Sequence, residues 1–173
     1  MHVIEVGGDG YLSFLGQRYR CTLGRGGIVV DKREGDGATP AGVFPLRRLL
    51  YRPDRLAPPE CALTAAPLRP DDGWCDAPAD PAYNRQVRLP YPSSAEKLWR
   101  QDHLYDLIVV LGFNDDPAIP GRGSAIFLHV ARPDWGTTEG CLALAPTDLV
   151  AVLSGVAPTT RLRVAAPAQS AAG

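Results

Sequence analysis

The stretch SAIFLHVARPDWGTTEGCLAL (residues 124–144) joins two kinds of sequence. An apolar run, AIFLHV, carries His129 one residue before its end, and a polar, glycine-bearing loop leads into Cys141. The run is too short for a helix and is rich in β-branched and aromatic residues, so it reads as a central strand covered on both faces. DLIVVLGF (106–113) reads the same way. Two such strands set the frame of a sheet, and the rest of the chain fits around it.

Seventeen prolines and 18 glycines are spread over the 173 residues, which predicts many short strands and turns. Further strands are expected at 2–6, 11–14, 18–23, 27–30 and 161–165. Another is expected at 42–51, where Pro45 restricts it to an edge or a bulge. Two helices are predicted. One follows the capping box Ser93-Ser94-Ala95-Glu96 and runs to about His103. The other spans 145–155, with Thr147 as N-cap and Gly155 as the stop. Residues 52–92 carry many prolines and little periodicity, as an ordered insertion over a sheet would. The expectation is a mainly β (β-rich α+β) single domain over residues 1–165, a mixed, sandwich-like sheet with two short helices. Residues 166–173 form a tail with nothing to bury.

Charge and composition exclude several functions. Eighteen Lys+Arg against 19 Asp+Glu leave no large positive field, so nucleic acid is not an expected partner. No run approaches the ~18 apolar residues of a membrane span. The start, MHVIEVGGDG, lacks a basic region and an apolar core, which by sequence predicts a cytoplasmic location. Cys21, Cys61, Cys75 and Cys141 form no CxxC pair, and there is no HExxH, so no metal or other cofactor is expected. Cys61 and Cys75 lie 14 apart; a disulfide requires an oxidising compartment, and a reduced pair suits a cytoplasm. Asp115 and Asp116 read as solvated turn carboxylates rather than a metal pair. A monomer is expected.

Cysteine is a nucleophile only as a thiolate, so it needs a base beside it. His129, at a strand end twelve residues before Cys141, can be brought against the sulfur by a loop that turns at Pro133 and Gly136. Gly140 allows a sharp turn, so that the Gly140 and Cys141 amides point at one developing oxyanion. No Asp or Asn is placed to orient the imidazole, and that task falls to a backbone carbonyl. The plainer reading is that Cys141 is a small buried hydrophobe; the pairing of a strand-end histidine with Thr-x-Gly-Cys argues against it.

These motifs resemble the YkuD-type L,D-transpeptidases: a strand-end histidine, a variable loop, then Ser/Thr-x-Gly-Cys and an apolar residue. GRGGIVVDKREGDGATPAGVFPL (24–46) resembles the family's approach segment, and WCDAPADPAYNRQVRLPY (74–91) resembles one bacterial branch of it. The resemblance covers roughly residues 20–155. It implies Cys141 as nucleophile, His129 as base, Val130 as the residue whose carbonyl orients the ring, and an oxyanion hole at Gly140 and Cys141. Thr138 matches the Ser/Thr of the signature. It implies acyl transfer on peptidoglycan stem peptides through a thioester, in the periplasm or cell envelope and without cofactor.

Three departures qualify that picture. Glu139 stands where many members have histidine or arginine, and its charge disfavours a thiolate. LALA follows the cysteine where a polar group often holds a substrate carboxylate, which leaves Arg132 and Arg85 as candidates. The start of the sequence reads as no export signal. Asn84 either joins Arg85 in binding a carboxylate or anchors its loop, and Trp135 either lines the pocket or covers an apolar edge. Two alternatives to transpeptidation stay open: hydrolysis of muropeptides as a peptidase or amidase, and a non-catalytic peptidoglycan-binding module.

Overall fold

The computed structural model describes residues 2–168. Fourteen strands and one helix follow in order. β1 (Val3–Val6), β2 (Tyr11–Phe14) and β3 (Gln17–Thr22) form a meander; β4 (Ile28–Val29) and β5 (Thr39–Pro40) pair in the approach segment; β6 spans Gly42–Tyr51. β7 (Ala65–Pro67), β8 (Asp72–Cys75), β9 (Gln86–Arg88) and β10 (Ala95–Lys97) come next. β11 (Leu107–Leu111), β12 (Phe127–Val130), β13 (Leu142–Leu144), α1 (Pro146–Ser154) and β14 (Arg161–Val164) complete the chain.

The main sheet runs β11-β12-β13-β3-β2-β1-β14-β6-β7, and β6 also pairs with β11. The protein is mainly β with a mixed sheet: β1–β14, β12–β13 and β6–β7 are parallel, the other neighbours antiparallel. β6 turns the corner that closes the sheet on itself. Its first half pairs with β14 and its second with β11. Pro45 is therefore on no edge. It sits beside a bulge, where the β6–β11 register slips between Val110 and Leu111, and its carbonyl accepts from Gly112 N at 2.8 Å.

Two apolar clusters share β11 and β12. Leu107, Val109, Leu128 and Val130 face the closed interior with α1's Leu149, Val152 and Leu153. Ile108, Val110 and Phe127 face outward and are covered by Trp74, Leu98 and Tyr105. Burial on both faces explains why these strands read as unbroken apolar runs. The outer cover includes the small sheet β10-β8-β9.

That small sheet overturns the first predicted helix. Ala95–Lys97 is a strand, antiparallel to β8 with Glu96 opposite Trp74. The Ser93 hydroxyl does not cap a helix; it donates to Asp80 Oδ2 at 2.6 Å. A long-range acceptor outcompeted the local one, and the protein has one helix among the described residues, not two. The second helix stands, but its N-cap is Ala145 with Pro146 in the first turn, not Thr147. Of the predicted tail, residues 166–168 lie beyond β14 outside any strand, and 169–173 fall outside the described residues. No helix among the described residues is long and apolar enough to cross a membrane.

Candidate active site

His129 pairs with Ala143 across the parallel β12–β13 ladder. Cys141 lies two residues before Ala143 and so shares its face of the sheet. Strand spacing and rise put the two Cα atoms about 8 Å apart on the diagonal, within reach of both side chains. Both line one cleft of about 310 Å3, and both are nearly buried, at 5% and 8% exposure.

His129 Nδ1 lies 2.8 Å from the Val130 carbonyl oxygen. A carbonyl only accepts, so Nδ1 carries the proton and Nε2 keeps its lone pair. Tyr105 packs edge-on against the ring at 5.2 Å between centroids and fixes its plane. Burial pulls the His129 pKa down to about 4, so the ring is neutral at physiological pH. The Cys141 thiol donates to the Ala125 carbonyl at 3.1 Å, and its sulfur accepts from Phe127 N at 3.4 Å. Burial, reinforced by the charge of Glu96, pushes the Cys141 pKa up to about 12. The resting pair is thus thiol and imidazole, not thiolate and imidazolium.

The turn before Cys141 is braced from both sides. Thr138 Oγ1 donates to the Cys141 carbonyl at 2.6 Å and accepts from Gly140 N at 3.2 Å. Thr39 Oγ1 accepts from Gly24 N and donates to the Gly140 carbonyl, both at 2.9 Å. Gly140 has φ +135°, and a Cβ there would sit 2.7 Å from the Ala38 carbonyl oxygen. The approach segment therefore builds the cysteine turn, and only glycine fits at its tightest point.

Glu139 is exposed and paired with Arg25, whose Nε lies 3.0 Å from Oε2. Its carboxylate lines the cleft mouth, but the charge that presses on Cys141 is Glu96. Glu96 accepts from the Tyr105 hydroxyl, and burial raises its own pKa. Neither Glu96 nor Tyr105 stood out in the sequence: Glu96 was hidden in an apparent helix cap, and Tyr105 in the lead-in to β11. Glu34, which accepts from Ser124 Oγ at 2.8 Å, and Asp76 add to the acidic wall. Arg100 and Arg132 supply the positive side.

The remaining predicted residues lie elsewhere. Trp135 lines a neighbouring cavity under the Arg20 guanidinium, 4.3 Å from its ring centroid. Asn84 and Arg85 line a separate cleft. Asn84 is buried with φ +58°, and its amide is fully engaged. Oδ1 accepts from Trp74 Nε1 and Ala125 N at 2.9 and 3.0 Å, and Nδ2 donates to the Phe113 and Asn114 carbonyls at 2.9 and 2.8 Å. It thereby holds Ala125, whose carbonyl receives the thiol proton. All four cysteines are free thiols. Among the described residues, no group of three or more His, Cys, Asp or Glu is arranged to hold a metal.

A family profile, the L,D-transpeptidase catalytic domain (YkuD), matches residues 7–164. The chain belongs to the L,D-transpeptidase catalytic domain family. Among solved structures it is similar to an L,D-transpeptidase from Mycobacterium smegmatis, at 13% identity and TM-score 0.46. The alignment covers 95% of this chain and 58% of that one. No curated protein matches the chain. Within this L,D-transpeptidase-family domain, the strand-end histidine and the Thr-x-Gly-Cys turn lie in one cleft.

Proposed function

We propose that this domain transfers acyl groups on peptidoglycan stem peptides through a thioester at Cys141, with His129 as the general base. One observation carries the reading: the Nδ1–H bond to Val130 leaves Nε2 as a free lone pair in the cleft that holds the thiol. Because both groups rest neutral, the S–H turns from the Ala125 carbonyl toward Nε2, and the proton passes to it as sulfur attacks the carbonyl, rather than before. The developing oxyanion takes the Cys141 and Gly140 amides, competing with Thr138 for the latter. The leaving amine takes the proton back from His129, and an acceptor then resolves the thioester.

An amine acceptor gives a cross-link, and water gives hydrolysis. The acidic wall of Glu34, Asp76 and Glu96 favours the ammonium form of an incoming amine and holds back its lone pair. That wall supports the second reading, a muropeptide hydrolase built on the same thioester. Arg132, exposed at the cleft and with no hydrogen-bond partner for its guanidinium among the described residues, is the candidate for a substrate carboxylate. Transpeptidation of peptidoglycan implies the cell envelope, whereas hydrolysis of muropeptides fits a cytoplasmic location.

Incubation with tetrapeptide muropeptides, followed by mass spectrometry, tests the function. A cross-linked dimer supports transpeptidation and a shortened monomer supports hydrolysis. Unchanged substrate, with folded protein, overturns both.

A further inference from the structure

The sheet face that carries Cys141 also carries a second cleft. Arg48 of β6 pairs with Val110 of β11, Val110 with Phe127 of β12, and the β12–β13 register sets Phe127 beside Cys141. These four residues form one row across the strands, so the Cα of Arg48 lies about 14 Å from that of Cys141 at three strand spacings. Trp74 stands edge-on to Phe127, 5.0 Å between centroids, as a ridge along that row.

Beyond the ridge is a cleft of about 650 Å3 lined by Arg47, Arg48, Arg85 and Arg88. Two carboxylates, Asp72 and Asp115, line it with them. Arg47 and Arg88 are already neutralised. Arg47 forks onto Asp115 at 2.8 and 3.0 Å, and Arg88 Nη1 lies 2.6 Å from Asp71 and 3.4 Å from Asp72. Arg48 and Arg85 have no carboxylate partner among the described residues. Arg48 donates only to the neutral Gln86 Oε1, at 2.9 Å, and its Nε is buried with no acceptor. Proteins rarely leave a buried charged donor unmatched, because the lost hydration is not recovered. A guanidinium stays charged at physiological pH, and its planar fork matches an oxyanion.

We propose that this cleft is a binding site for an oxyanion, a carboxylate or a phosphate, held by Arg48 and Arg85 and separate from the Cys141 cleft. Its volume is that of an organic ligand rather than a bare ion, so the oxyanion is the charged end of a larger molecule. Trp74 and Val110 give that molecule an apolar floor. The site stands whether or not Cys141 proves to be a nucleophile.

Calorimetric titration of the full chain with pyrophosphate and with citrate, against sodium chloride of matched ionic strength, tests it. Saturable binding of at least one probe is expected, and the preferred probe tells phosphate from carboxylate. Arg48→Gln should weaken binding by about tenfold or more, the loss of a charge-assisted contact. Arg85→Gln should weaken it by at least about threefold. Arg85 is exposed, so its variant remains decisive if Arg48→Gln does not fold. Cys141→Ala should bind as wild type does. A response no greater than that to sodium chloride, or equal affinity in wild type and Arg85→Gln, would overturn the proposal.

Discussion

Acidification should weaken the fold through His129, by an amount its burial sets. The ring's pKa falls from 6.5 to about 4 in the folded chain. The unfolded state therefore binds a proton that the folded state refuses between those values. Stability is full above about pH 6.5 and is lost as pH falls toward 4. Linkage gives a loss of about 1.2 kcal/mol by pH 5.5 and about 2.4 kcal/mol by pH 4.5, relative to pH 7. Carboxylates contribute their own slope, so wild type must be compared with His129→Gln, whose amide keeps a donor for Val130 but cannot titrate. Urea denaturation at about four pH values between 4.5 and 7.5 reads the difference. Over that range the variant should be flatter than wild type by about 2.5 kcal/mol. Parallel profiles would refute the account of a buried, neutral imidazole, and with it the view that the base rests uncharged.

Three substitutions probe the rest of the site. Glu96→Gln removes a negative charge that disfavours the Cys141 thiolate; iodoacetamide should alkylate Cys141 about threefold faster at neutral pH, and an unchanged rate would clear Glu96 of that role. Gly140→Ala forces a Cβ onto the Ala38 carbonyl at positive φ. It should cost about 2 kcal/mol or more in denaturation and abolish acylation of Cys141. Asn84→Ala strands two donors and two carbonyls; a loss of about 2–4 kcal/mol is expected, with slower acylation because Ala125 loosens.

The central strands and the meeting of His129 with Cys141 in one cleft were legible because their signals are local. β11 and β12 are buried on both faces, so every residue in them except His129 is apolar. Thr138, Gly140 and Cys141 read as a turn because the glycine is required by φ and by contact with Ala38. What failed depends on partners distant in sequence. Ser93 and Glu96 have the spacing of a helix cap, yet Asp80 takes the hydroxyl and Tyr105 the carboxylate. Pro45 left an edge or a bulge open, and only the distant β11 and β14 decide for the bulge. Glu139 drew attention by its place beside the cysteine; Arg25, 114 residues away in sequence, engages it, while Glu96 acts on the sulfur. For Asn84 the sequence offered a carboxylate ligand or a loop anchor, and its four hydrogen bonds fit the anchor; which cleft Arg85 lines depends on the path of the 74–91 loop, which has no local signature.

The central claim is that Cys141 is a nucleophile activated by His129. Intact-mass analysis after exposure to a carbapenem, a strained acyl donor, tests it most directly. One adduct is expected on wild type, mapped to Cys141, absent from Cys141→Ala and strongly slowed in His129→Ala. No adduct on folded wild type, or an adduct that persists in Cys141→Ala on the partly exposed Cys61, would contradict it.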